Sequence, residues 1–179
     1  MLPVGYEIRP LGAGDGPAMA AAIRRNREHL APTDPDRPES HFTDEGQVVE
    51  VARQVADTAA GTRFTYVLVH DGAIVGRVAL VSFVRGPLQS AVLSYWVDGD
   101  HQGKGLAGAM SEYAAEQARA MGLHRLEAGT LLDNFGSQAV LRKTGFTEIG
   151  VAEKFLWIRG MWRDHRLFQR ILHDDPLEA

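Results

Sequence analysis

The 179-residue chain has no cysteine. Disulfides, thiolate zinc sites and a cysteine nucleophile are therefore excluded. It has no basic excess either: 19 Lys and Arg stand against 23 Asp and Glu, a formal charge of −4. A general nucleic-acid-binding face is not expected from such a balance. No apolar run approaches the ~20 residues of a membrane span, and the opening "MLPVGYEIRP" lacks the charged-then-apolar pattern of a secretory leader. The histidines (His29, His41, His70, His101, His124, His165 and His173) form no H-x-x-x-H or H-x-H pair, so no metal centre is expected. What remains is 45% apolar and 23% charged, long enough to bury a core unaided. The expectation is a single domain over residues 1–179, cytoplasmic, with neither membrane nor direct nucleic-acid partners.

Periodicity orders the chain as β-α-α-β-β-β-α-β-α-β-β. "GYEIRPL" alternates and reads as a strand, and "AGDGPAMAAAIRRNREHL" as a helix with Asp15 at its N-cap and Pro17 in its first turn. Three prolines and several acids make 31–42 a loop. Thr43 caps a second helix with the stripe Val48, Val51, Val55 and Ala59. Three strands follow, the first two joined by the hairpin dipeptide Asp71-Gly72. A helix from about Gly103 to Met121, ended by Gly122, carries the stripe Leu106, Met110, Tyr113, Ala114, Gln117 and Met121. A βαβ crossover then leads to "LHRLEAGTLL", a short helix "NFGSQAVLRKT" stopped at Gly145, and two closing strands around Arg159-Gly160. This is a mixed α/β sheet.

"VDGDHQGKGLAG", residues 97–108, contains Gly103-x-Gly105-x-x-Gly108 and a Gly-Lys pair. A triphosphate loop requires six positions from its first glycine to the lysine and then Ser or Thr. Here Gly99 is five before Lys104, and Gly105 follows it. The dinucleotide fingerprint matches by letter, and Glu127 lies 19 residues past Gly108. However, five residues separate the preceding strand from Gly103, and an antiparallel meander stands where a βαβ repeat belongs. The physical content of the stretch is simpler. A turn entering a helix leaves backbone N–H groups without intrahelical acceptors, the helix dipole adds positive potential, and glycines admit close approach of an anion.

Gln102-x-x-Gly105-x-Ala107 also follows the Q/R-x-x-G-x-G/A pattern, and in this respect and in element order the chain resembles the GNAT acyltransferases. Downstream, Asn134, Ser137, Leu141, Lys143, Gly145 and Phe146 fall on the N-x-x-S-x-x-v-l-x-k-x-G-F segment of the RimJ/RimL-type branch, which modifies ribosomal-protein N-termini. "GMWRDHRLFQRIL" resembles that branch's last strand. The resemblance implies an α/β (α+β), mostly antiparallel sheet of about seven strands flanked by about four helices, splayed between strands 4 and 5. It implies acetyl-CoA as cofactor, with the amides of Gly103, Lys104, Gly105, Leu106, Ala107 and Gly108 on the pyrophosphate behind Gln102, and the pantetheine arm along Tyr95, Trp96 and Val97. Asn134 would hold that arm as well as cap its helix. Ser137 would protonate the leaving thiol, and Lys143 would reach a phosphate or complement its helix C-terminus.

The acceptor is expected to be a primary amine, a protein or peptide N-terminus such as that of a ribosomal protein, with a small-molecule amine and a non-catalytic CoA-binding module as alternatives. A homodimer is allowed. Without cysteine, direct attack is favoured. Glu127 is the candidate base through water, or a structural acid paired with Arg125. The loop acids Asp34, Asp36, Glu39 and Asp44 would favour a cationic acceptor, with Phe155, Trp157 and Arg159 at the entrance.

Overall fold

The computed structural model describes residues 2–176. The elements are β1 (Tyr6–Pro10), α1 (Gly16–Arg25), α2 (Arg27–Leu30), α3 (Asp44–Ala59), β2 (Phe64–His70), β3 (Ala73–Val84), β4 (Ser90–Val97), α4 (Leu106–Ala120), β5 (Arg125–Leu131), α5 (Phe135–Lys143), β6 (Thr147–Ile158) and β7 (Met161–Ile171). They form one seven-stranded sheet in the order β1-β2-β3-β4-β5-β7-β6. Asp71 and Gly72 both take left-handed φ values, 49° and 76°, as the hairpin dipeptide predicts.

Alternation along the strands sends side chains to two apolar layers. Leu68, Val78, Leu80, Leu93 and Leu126 meet Leu106, Met110 and Ala114 of α4 and Leu141 of α5 on one face. Val67 and Ile74 meet Met19, Ala22 and Ile23 of α1 and Val51 of α3 on the other.

The functional feature is the single parallel pair. β4 and β5 are in register only at Ser90↔Arg125, Ala91↔Leu126 and Val92↔Glu127. Beyond that point β4 stays on β3 as far as Gly76↔Val97, while β5 stays on β7 as far as Leu131↔His165. Each strand follows its outer neighbour, so a wedge opens at their carboxyl ends. The splay is therefore present.

Three local expectations are corrected. The first helix breaks at Asn26 (φ −102°, ψ 10°), whose Nδ2 bonds both the Ala22 carbonyl and Asp98; this gives α1 and α2 in place of one continuous helix. Asp15 stands at the N-cap of α1 as expected, but its carboxylate is taken by Arg9 and the Gly12 N–H rather than by the N–H groups of α1. The inward face of α3 is Gln47, Val51 and Gln54, not one starting at the exposed Val48. Both glutamines are buried because they have partners: Gln47 donates to the His41 carbonyl at 2.7 Å, and Gln54 accepts from the Thr65 hydroxyl at 2.9 Å. Val48 lies against α1 instead, where a Cβ at Gly16 would come within 2.8 Å of the Val48 Cα.

Candidate active site

β4 ends at Val97, and the chain turns through residues 98–105 into α4. The helix starts at Leu106, later than Gly103, because Gly103 and Gly105 take φ values of 74° and 75°. No side chain caps it. Among the described residues, the N–H groups of residues 103–108 find no acceptor, and the first α4 bond runs from Ala109 to the Gly105 carbonyl. A Cβ at Gly103 or Gly105 would meet no atom within 4 Å. The turn is thus an open set of donors, the arrangement that suits a phosphate.

Asp98 holds this turn to α1. Its buried carboxylate accepts from Arg25 Nε at 2.7 Å, Asn26 Nδ2 at 2.9 Å and the Asp100 N–H at 3.0 Å. The Gly99 N–H in turn donates to Asn26 Oδ1 at 2.9 Å. Burial alone would raise the carboxyl, but the bonds from Asn26, Asp100 and Arg25 outweigh it and hold Asp98 below the ordinary carboxylate range. Around the turn, Lys104 Nζ lies 3.2 Å from the Tyr6 hydroxyl, which meets His101 Nδ1 at 2.8 Å. Gln102 Nε2 meets His29 Nε2 at 2.8 Å. Burial, and then the Lys104 charge, lower His101.

A cavity of about 570 Å³ crosses the β4–β5 wedge. On the α5 side it is lined by Tyr95, Asn134, Ser137 and Leu141. Tyr95 and Ser137 meet through their hydroxyls at 2.7 Å, and Asn134 Oδ1 accepts from the Ser137 N–H at 3.1 Å. Asn134 is therefore the helix cap, and that cap fixes Ser137 at the wedge. Burial raises the Tyr95 phenol, with the Ser137 bond opposing, so it stays protonated at neutral pH. On the α1–α3 side the lining includes Arg77, Ser94, Trp96 and His41, with Phe155 and His165 from the last two strands and Arg159 from the turn between them.

The wedge thus gathers Tyr95, Trp96, Asn134 and Ser137. Val97 and residues 102–108 continue from the end of β4 as the donor turn. Lys143 is exposed at the end of α5, beside Thr144, whose hydroxyl meets Ser111 of α4 at 3.1 Å. Glu127 is not brought in. It lies outside the cavity lining, with its carboxylate 3.3 Å from Arg125 Nε. Trp157 also lies outside, its ring centroid 5.6 Å from that of Trp162.

Each acid of the 31–44 segment is already engaged: Asp34 by Arg37, Asp44 by Arg24, Glu39 by Arg27 and Asp36 by the Gly160 N–H. Three of the four are thereby neutralised by an arginine; Asp36, in the cavity lining, has no cationic partner among the described residues. Three cavity groups went unassigned in the sequence. His165 is buried, and its Nδ1 is 3.1 Å from the Arg163 carbonyl. That carbonyl only accepts, so Nδ1 is the donor, and in the neutral ring it is Nε2 that carries the lone pair. The buried Thr130 hydroxyl has no partner, and neither does Arg77 Nε. Only Arg77 gave a signal in the sequence, as the lone polar residue of "AIVGRVALV"; His165 and Thr130 stand in strands with several other polar residues.

The family model described as acetyltransferase (GNAT) domain matches residues 6–147. The chain belongs to the GNAT acetyltransferase family. It is 30% identical to the [ribosomal protein uS5]-alanine N-acetyltransferase of Escherichia coli, over 89% of this chain and 84% of that one. It is also 30% identical to the probable N-acetyltransferase YjcK of Bacillus subtilis, over 94% of both. The crystal structure of a ribosomal-protein-S5-alanine acetyltransferase from Vibrio fischeri superposes with a TM-score of 0.92 at 32% identity, covering 98% of each chain. A RimJ of Mycobacterium smegmatis, solved with CoA-disulfide, gives 0.86 at 28% identity over 93% of this chain and 81% of that one. The relatives are thus RimJ/RimL-like GNAT enzymes, and the seven-stranded sheet with its one parallel pair matches their fold. No helix among the described residues is long and apolar enough to cross a membrane.

Proposed function

We propose that this GNAT enzyme moves an acetyl group from acetyl-CoA to the α-amine of a protein or peptide N-terminus by direct attack, in the cytoplasm. The observation that carries the reading is the cavity through the β4–β5 wedge. It joins the Tyr95–Ser137 pair on one sheet face to an open chamber on the other. The donor turn fits the cofactor: six unpaired amides and two outward-opening glycines suit a pyrophosphate.

Gly103 to Gly108 and Lys104 would hold the pyrophosphate, Gln102 would brace the turn through His29, and Lys143 would meet a phosphate at the rim. The edge of β4 from Tyr95 to Val97, together with Asn134, would take the pantetheine arm. Acetyl-CoA supplies the acyl group as a thioester. With the Tyr95 O–H donating a hydrogen bond to Ser137 Oγ, the Ser137 proton is free to pass to the departing sulfur, and solvent restores it through Tyr95. His165 Nε2 is the base in the chamber for the amine proton, in place of Glu127. An α-amine near pKa ~8 loses that proton more readily than a lysine near ~10.4.

The test is acetylation of a panel of short peptides, followed by free-thiol release and by mass spectrometry of the modified site. Free N-termini are expected to be modified, while amine-blocked copies with an internal lysine are not. Turnover on small amines alone would overturn the reading.

A further inference from the structure

Arg77 sits on β3, its Cα opposite that of Trp96 on β4. Directly paired residues project to the same sheet face, so Arg77 and Trp96 share the α1–α3 side, and both line the cavity. Tyr95, the next residue along, projects to the other face and meets Ser137. Arg77 therefore stands across the wedge from the proposed reaction centre, about one strand residue (~3.4 Å) along.

Its environment is unusual for a cation. The Nε atom is buried without a partner, and Arg77 makes no ion pair among the described residues. The charges that act on it are Arg63, Asp34, Arg37 and Glu50. Both acids are committed elsewhere, Asp34 to Arg37 and Glu50 to Arg53. Burial first, and then the Arg63 charge, lower the guanidinium to about 10, so it remains charged at neutral pH. Arg77 is half-buried, with its Nε fully buried; a cation held in this way without an ion-pair partner is costly, and such groups gather at functional sites.

A second donor stands close by. His41 lines the same chamber, and the Arg77 charge acts on it. Gln47 Nε2, an obligate donor, is 3.2 Å from His41 Nδ1. Nδ1 therefore accepts, and Nε2 carries the hydrogen. Burial, and then Arg37, lower His41 and keep it neutral. The chamber thus offers a guanidinium and a neutral N–H; of the two acids in its lining, Asp34 is paired with Arg37, and Asp36, which bonds the Gly160 N–H, is not among the charges that act on Arg77 or His41.

We propose that Arg77, with the His41 Nε2–H, forms a carboxylate subsite on the acceptor side of the wedge, selecting an N-terminus with Asp or Glu among its first residues. This rests on the peptide-acceptor reading above. A residue extends at most ~3.6 Å along the chain, so the second or third side chain is the one within reach.

The test uses the intact protein and matched peptides differing only by Glu or Gln at position two or three. With wild type, kcat/KM is expected to favour a Glu peptide by about 10- to 100-fold, the range of a hydrogen bond to a charged group. Arg77→Gln is expected to erase that preference and leave the Gln peptide within about threefold. Its melting temperature should be close to wild type or higher, because the half-buried guanidinium has no ion-pair partner to lose. A lowered melting temperature together with equal losses on both peptides would make Arg77 structural and overturn the subsite. Equal wild-type rates on Glu and Gln peptides would overturn it while leaving N-terminal acetylation standing.

If no peptide is acetylated, the acceptor reading fails and the subsite is still decided by nuclear magnetic resonance. The Arg77 Nε–H resonance, assigned by its loss in Arg77→Lys, is titrated with glutarate and with its diamide. A saturable shift with glutarate alone supports the subsite, and no shift refutes it.

Discussion

Gly105 separates what the turn's backbone needs from what its ligand needs. At φ 75° any residue with a Cβ is strained, yet that Cβ would meet no protein atom within 4 Å. The effect of Gly105→Ala on the free protein is therefore purely conformational, about 1–2 kcal/mol for an L-residue in the left-handed region. Gly61 and Gly122 have φ values of 72° and 74° and equally open surroundings, and both lie at helix C-terminal ends. Gly61→Ala and Gly122→Ala are matched controls, each expected to lower unfolding free energy by the same ~1–2 kcal/mol with coenzyme A affinity unchanged. Gly105→Ala should lose similar stability and, in addition, bind coenzyme A at least about fivefold more weakly, because the methyl group occupies the space through which the pyrophosphate approaches the amides. Gly105→Glu adds bulk and negative charge there and should abolish binding. The assays are urea unfolding and calorimetric titration of coenzyme A. Wild-type affinity in both Gly105 variants would mean that the cofactor binds elsewhere.

Ser137→Ala should lower kcat by about 10²-fold, the lower range for a lost proton-transfer group, with coenzyme A affinity nearly kept; wild-type turnover would remove the assigned role. His165→Gln should lower kcat/KM by about 10²-fold or more, whereas Glu127→Gln should leave it close to wild type; the reverse pattern would restore Glu127 as the base. Asp98 sets an acid limit. Its folded carboxyl lies below the ordinary 3.8, so its contribution is complete above about that pH and is lost as pH falls through the lower folded value. Asp98→Asn should therefore flatten the acid limb of a stability-versus-pH curve and loosen coenzyme A binding; an unchanged acid limb would refute the anchoring role.

What was legible in the sequence is what depends on neighbours in the chain. The Gly103–Gly108 turn, the Asn134 cap and Ser137 one turn later are local patterns, and the structure places them as spaced. The alternation that sends Tyr95 and Trp96 to opposite faces is likewise local; which of them meets the reactive helix is not. The Tyr95–Ser137 bond joins residues 42 apart in the chain, through a parallel pairing only three residues long. The loop acids misled for the same reason. A count of Asp34, Asp36, Glu39 and Asp44 gives a negative patch, but Arg24, Arg27 and Arg37, drawn in by helix ends and turns, discharge three of the four. Val48 looked like a stripe residue because polar side chains are expected outside; Gln47 and Gln54 are inside because their amide groups are satisfied there.

Arg77 is the sharpest case. In "AIVGRVALV" it reads as the one polar residue of a strand, to be turned outward to water. Its meaning lies in a missing partner, and a missing partner becomes visible only once every other nearby charge has been assigned. The pairing of the loop acids and the isolation of Arg77 are therefore one finding. If Asp34 were free it would neutralise Arg77, and the chamber would suit a cationic peptide. Because Arg37 holds Asp34, the chamber keeps a net positive group beside the acceptor path. Arg37→Ala should release that acid toward Arg77 and weaken the preference for a Glu peptide without altering coenzyme A affinity. An undiminished preference in that variant would show that Arg37 does not keep Asp34 from Arg77.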